Sequence, residues 1–483
     1  MRLCRKVKKD WNGCMISNKA DALIVGKHYL SFILSHELLR RKKTVFMLDD
    51  SRIEAGDLYC TSLGQLEKTF LQAWGRDLGL RPLLQLDNYL RKRPITFVLN
   101  KVQIRLGDSP HRNLLELLRK LPFVFKDKDG FLALELAKRI SQKTSWSQAF
   151  DLAFDISCLE IVRATYDDWR VRLALPLSEI FLKKSSDEVK LVYHFLERFL
   201  SSKVKSEASE EEKWHLRCFL YMARGFYQDK LSYTTDPLEL FHLVLGILSP
   251  RFELDWKALF SDLAPYFTEC GGQFKTAHLH NFEEDKGYPW AVELDNWDGV
   301  LLPEKILAVG GIPVGLPFKL YPLRNVYSSI SVSWKVKENV LINCHGSRFL
   351  FSSLERIGTS RPIWYLDFKG TDNLQFLVFG VREQGSKIDM IQKEVHQLLM
   401  RDLSLFLPIR EEDVLQEEMN FGREAWIQEE VSVKEGHGGS DVFFQAADGR
   451  EVPLKEVSYF GPYNGGPFGI FSTFLHIRTH LNQ

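Results

Sequence analysis

The chain has 483 residues, 45% of them hydrophobic and 26% charged, which bounds it to a globular protein of two or three domains with a large apolar core. A formal net charge of +1 supplies no global field for nucleic acid or acidic lipid. Seven scattered cysteines without a C-x-x-C pair read as reduced thiols of a cytoplasmic protein, and no apolar run approaches the roughly 18 residues of a bilayer span.

The opening MRLCRKVKKDW is basic but leads into no apolar h-region, so a signal peptide is not expected. Asp21–Asp50 then carries a short buried-strand run (Ala22–Val25), Gly26, a helix from about Tyr29 to Arg41, and a second strand, Thr44–Leu48, ending on Asp49 and Asp50. Strand, glycine turn, helix, strand and acid is the order of a mononucleotide-binding unit, and the interval from Gly26 to Asp49 suits it. A dinucleotide fingerprint places glycine at three positions; here they read Gly26, His28 and Ser31.

Ser51–Gly64 is turn-rich, and helical spacing returns from Glu67 with Gly79 as its stop. Pro94–Val98 and Val102–Arg105 alternate as strands, and His111–Pro122 aligns Leu114, Leu115, Leu118 and Leu121 on one helix face. From about 131 to 270 the pattern is mainly helical, clearest over Asp187–Ser201, Glu210–Tyr227, Pro237–Leu248 and Asp255–Tyr266. At Gly271 the texture turns to strand, with a hairpin around Asn296–Gly299 and the strand EKILAVGGIP ending on glycines. Strands follow at Val326–Val336, Arg348–Phe351, Pro362–Phe368 and Leu374–Val381, then a helix over Ser386–Asp402 and mostly strand over Glu417–Val433. The chain closes on the strand VSYF (Val457–Phe460), the turn GPYNGGPFG and the helix IFSTFLHIRTHL.

Three of these blocks, Ala22–Asp49, Gly271–Pro313 and Val457–Leu481, resemble the flavin-containing amine oxidase and phytoene desaturase superfamily. The second block carries the Gly271-Gly272 turn, AVELDNWDG and ILAVGGIP where the family has a glycine turn, a hairpin and a strand ending in A-x-G-x-P. The resemblance implies an α/β fold: a Rossmann-like FAD/NAD(P)-binding domain interrupted by a helical plus β-sheet substrate domain. The corresponding segments are 1–70, 251–320 and 441–483 for the nucleotide domain, 71–250 for a mainly helical insertion, and 321–440 for a β-rich substrate region. It further implies Gly26, His28, Ser31, Asp49, Arg52, Gly310, Gly461, Gly465 and Gly466 as cofactor contacts, with Asp49 on the adenosine ribose. The chain departs from the family at His28, where a Cβ and an imidazole stand in place of a glycine. It departs again at Gly461-Pro462, where the family has Gly-Asp; the carboxylate and one backbone N–H are both absent. After the second acid the family's Gly-Gly and arginine are matched only by Arg52 and Gly56.

Each candidate has a plainer reading. The glycine turn serves folding alone, Asp49 ends a strand, and Gly461, Gly465 and Gly466 simply make a turn. A charge-assisted bond from His28 to phosphate is the functional counterpart of the first. His278 and His280 sit on one strand face without a third ligand, so no metal site is expected; His345-Gly346-Ser347 with Cys344 lacks G-x-S-x-G. Trp364, Tyr365, Phe368 and Phe376 are core-forming or pocket-forming aromatics. No catalytic residue stands out, as befits a chemistry supplied by a cofactor.

The leading expectation is an FAD-dependent oxidoreductase acting on a small-molecule substrate. The alternative from another class is a non-catalytic relative that binds a protein partner or lipid, as Rab GDP-dissociation inhibitors do within the same broad fold, with its cofactor site degenerate.

Overall fold

The computed structural model describes residues 16–26, 28–49, 62–99, 102–121, 138, 144–167, 175–201, 209–228, 237–277, 279–285, 288–295, 297, 299–309, 318–320, 326–338, 340, 347–353, 362–368, 373–381, 388–421, 427–428, 441–445, 451–460, 474, 477–478 and 480–481. Its opening unit is β1 (Ile16–Val25), α1 (Tyr29–Arg40) and β2 (Val45–Asp49). Along β1, Ala22 and Ile24 enter one apolar core while Leu23 and Val25 enter another, so both faces of the strand are covered. That is why the segment reads as a continuous apolar run rather than an alternating one.

Asp21 fixes how β2 starts. Its carboxylate accepts from the Thr44 N–H (2.7 Å), the Thr44 hydroxyl (2.6 Å) and the Lys43 ammonium (2.8 Å). The Lys43 bond, with those from Thr44, holds the Asp21 carboxyl down at about 2. The turn before it is closed by Lys42 in the left-handed region (φ 61°).

β1 and β2 belong to a nine-stranded sheet whose centre is parallel throughout. The Glu451–Phe460 strand pairs with Gly299–Val309, which pairs with β1, which pairs with β2, which pairs with Gln273–Thr276. The hairpin of Tyr288–Leu294 and Gly299–Val309 is present in the register Val292↔Leu301. Leaving β1, the chain winds through α1 to β2 on one side; the strands on its other side come from later in the chain. The sheet is therefore doubly wound, with its strand order reversing between β1 and Gly299–Val309.

A second sheet has eight strands, and its path runs Val414–Phe421, Val326–Val336, Asn373–Val381, Ile363–Phe368, Arg348–Ser352, Ile95–Leu99 and Val102–Leu106. The strands at 95–106 fall in the mainly helical stretch, yet they complete this sheet through a parallel pairing of Phe349 with Thr96 and Phe351 with Val98. Trp364 is buried and its indole N–H donates to Asp402 (2.8 Å), while Tyr365 stacks on Phe226. These aromatics therefore build core.

Helices Asp187–Ser201 and Pro237–Leu248 have the bounds their periodicity predicts. The Gln65–Leu78 helix stops at Gly79 in the left-handed conformation (φ 70°). The helix expected to end at Tyr266 runs over Trp256–Glu269, carrying Pro265 within it. It is capped by Asp255, whose carboxylate accepts from the Ala258 N–H (3.1 Å). Its Phe260 and Phe267 meet Phe32 of α1 edge-on at 5.3 and 6.2 Å, so both rows of aromatics lock α1 against the sheet. Among the described helices none is long and apolar enough to cross a membrane.

Candidate functional site

In a doubly wound sheet the ligand crevice lies beyond the carboxyl ends of the strands, where the order reverses. The register places Val25, Leu48, Ala308 and Tyr459 level with one another near that edge. Gly26 follows Val25, and Asp49 ends β2 in a half-buried position, with its carbonyl accepting from the Ala277 N–H (3.2 Å). Val309 and Phe460 are paired residues at the same edge, each the last described residue before Gly310 and Gly461. Gly26, Asp49 and the two strands leading to Gly310 and Gly461 thus converge on one edge. Arg52, Gly310, Gly461, Gly465, Gly466 and Pro462 themselves lie outside the described residues, as do His278 and the His345 segment.

Gly26 is required by packing. It takes φ 123°, its N–H donates to the Leu48 carbonyl (2.9 Å), and a Cβ there would stand 2.1 Å from the Val309 carbonyl oxygen. Only glycine lets the end of β1 pass so close to its neighbour.

His28 is the N-cap of α1. In extended backbone (φ −129°, ψ 151°), its Nδ1 accepts from the Leu30 N–H at 3.1 Å and its carbonyl accepts from the Ser31 N–H at 2.9 Å. The ring is 1% exposed, 4.1 Å from the Tyr29 ring and 6.3 Å from that of Trp256. Burial pushes its pKa down to about 3, so the imidazole is neutral at pH 7, and the lone pair on Nδ1 assigns the proton to Nε2. The neutral ring therefore offers a phosphate no charge of its own, only the single N–H at Nε2.

Ser31 is fully buried where the third glycine would stand. Its hydroxyl donates to the Gly26 carbonyl (2.7 Å), and its own carbonyl accepts from the Ser35 hydroxyl. The small side chain permits close helix-to-strand packing and closes the turn upon itself.

These contacts decide how an FAD diphosphate would fit. A diphosphate at a helix start needs backbone N–H groups that point outward without partners. Here Leu30 and Ser31 already donate to His28, and the imidazole occupies the space a glycine would leave. Two of the N–H groups at the start of α1 are thus already engaged by His28, and Asp49 ends the neighbouring strand at the same edge.

Sequence reasoning missed three residues packed around α1. Trp256 walls the His28 ring, and Trp74 and Arg478 both reach Glu37, a buried acid on α1. The one available signal was Glu37 itself, an acid inside an apolar helix stretch whose charge requires a partner.

No protein-family model matches the chain, and no curated protein matches it. Among solved structures it is similar to a geranylgeranyl bacteriochlorophyll reductase-like protein from Thermoplasma acidophilum (8% identity, TM-score 0.42, covering 97% of this chain and 79% of that one). It is also similar to a flavin-dependent halogenase from Brevundimonas (12%, 0.39, 97% and 71%) and to a putrescine oxidase variant redesigned in cofactor binding (11%, 0.38, 97% and 100%). At these identities and scores the chain's own residues have to carry the functional reading.

Proposed function

We propose that this chain keeps the architecture of an FAD-dependent oxidoreductase as a scaffold and acts as a non-catalytic relative, through binding. In this reading segments 1–70, 251–320 and 441–483 form the nucleotide-type domain, and 71–250 with 321–440 form the region that meets the partner. The observation that carries it is His28, whose buried neutral imidazole caps α1 where the diphosphate of a dinucleotide would dock. The replacement of the family's Gly-Asp by Gly461-Pro462 at the far end of the chain points the same way.

A second reading is an FAD-dependent oxidoreductase of the amine oxidase or desaturase type. It is favoured by the position of Asp49, at the end of the strand next to β1 and at the edge shared with Gly26.

The purified protein's visible spectrum separates them. The proposal expects a colourless protein whose melting temperature does not rise with excess FAD, since a ligand that binds only the folded state must stabilise it. A yellow protein that releases FAD on heating overturns the proposal in favour of the second reading.

A further inference from the structure

Away from the nucleotide-type edge, a cleft of about 470 Å³ opens beside the Leu90–Lys92 and Val102–Leu106 strands and the Pro110–Lys120 helix. Its described lining has six cationic side chains, Lys92, Arg93, Arg105, Arg112, Arg119 and Arg251, against two carboxylates, Asp108 and Glu116. The chain as a whole carries a net charge of only +1, so this is a local concentration of charge. Sequence alone conceals it, because the six residues come from four separate stretches.

Some of these cations are neutralised by neighbours. Arg93 bonds Glu253 (2.9 Å) and Asp367 (2.5 Å), and Arg119 pairs with Glu116. Lys92, Arg105 and Arg112 are exposed and form no ion pair with a described residue. Exposed cations are ordinarily solvated and screened within about 8–10 Å at physiological salt. Two features distinguish this group: the cations share a concave wall, and the wall is held from behind.

The holding contacts are specific. The Asn113 side chain accepts from the Gly107 N–H (2.6 Å) and donates to the carbonyls of Ile247 (3.2 Å) and Leu248 (3.1 Å). This clamps the loop before the Pro110–Lys120 helix to the end of Pro237–Leu248. The Arg251 guanidinium lies 5.1 Å from the Phe226 ring centre and 5.8 Å from that of Tyr227. Arg93 is fixed by its two carboxylates, and its carbonyl accepts from Arg348. The backbone that carries these cations is thus held in place, and a concave cluster of one sign focuses the field.

We infer that this cleft binds a small, multiply charged anion whose charge is borne by phosphate or carboxylate groups. Its volume lies within the range of small-molecule sites, while its cationic lining departs from the apolar walls that such sites usually have. Lys92, Arg105 and Arg112 attract the anion and salt screens that attraction, so binding weakens as salt rises.

The test is calorimetric titration of the full chain, without FAD, with tripolyphosphate and with citrate at matched ionic strength. One of them binds at unit stoichiometry; tighter binding of the first assigns phosphate, of the second carboxylate. Arg105→Glu and Arg112→Glu each weaken binding about tenfold or more, a loss expected for a direct charge-assisted contact, and leave the anion-free melting temperature unchanged. If either variant fails to fold, Arg112→Gln replaces it and must bind at least several-fold more weakly. Failure of both anions to bind, or variants that bind like the wild type, overturns the inference. The flavin spectrum has no bearing on either outcome.

Discussion

Arg478 and Glu37 stand 441 positions apart and meet at 3.3 Å, on a carboxylate that also accepts the Trp74 indole N–H at 2.7 Å. The Arg478 guanidinium also lies over the Tyr166 ring at 4.2 Å, and Arg41 donates to the Leu481 carbonyl. The last described helical residues are thereby tied to the first helix. Glu37 is 5% exposed, so Glu37→Ala strands an indole N–H and a guanidinium together. The expected loss is about 3 kcal/mol in urea denaturation. Glu37→Gln, which keeps an acceptor, loses less than half of that.

Gly26→Ala tests the close passage of β1 beside Val309. A Cβ at 2.1 Å from a backbone carbonyl, on a residue at φ 123°, cannot be accommodated by a side-chain rotation. We expect a destabilisation of at least about 3 kcal/mol, read as a fall in melting temperature or loss of soluble protein. The same change at Gly79, with nothing within 4 Å of the added carbon, pays only for its left-handed backbone, about 1 kcal/mol.

His28 sets an acid limit on stability. Its folded pKa of about 3 lies below the ordinary 6.5, so between those values the unfolded chain binds the additional proton. The contribution is complete above about pH 6.5 and is lost progressively as pH falls toward 3. His36, also shifted down chiefly by burial, acts in the same sense. His28→Asn keeps a capping side chain and removes the titration. Its melting temperature should therefore fall less steeply than the wild type's between pH 6.5 and 4.5; equal slopes would refute the assignment.

Arg93 and Asp367 join the Leu90–Lys92 connection to the eight-stranded sheet through a contact that is mostly buried on both sides. Asp367→Ala removes the carboxylate that the guanidinium meets at 2.5 Å, and a cost of about 3 kcal/mol is expected. Combining Arg93→Ala with Asp367→Ala should recover part of it, giving a coupling energy of about 1 kcal/mol or more in a double-mutant cycle.

The outline of the nucleotide-type sheet was legible because its strands are apolar on both faces and its turn needs a glycine at Gly26. Periodicity was equally direct for Asp187–Ser201 and Val326–Val336, whose described apolar positions alternate as their elements require. Two matters were hidden. Phe349 pairing with Thr96 is a contact between distant strands, and no local pattern encodes a partner's register. The capping role of His28 was also hidden, because a glycine fingerprint registers only that a glycine is missing. Whether the imidazole faces solvent or the Leu30 N–H depends on Tyr29 and Trp256 around it, and Trp256 comes from the far side of the helical region.

The parallel pairings of β1 have a consequence for how the chain is made. β1 is synthesised well before its neighbour Gly299–Val309, and that strand well before its own neighbour Glu451–Phe460. Loop-closure entropy must be met before such distant pairings stabilise anything, so the sheet is a late, slow-forming part of the molecule. The helices between can collapse while the ribosome is still working, whereas β1 waits with an unpaired apolar edge. That interval is when the chain is most exposed to aggregation, and when a chaperone would be most useful to it.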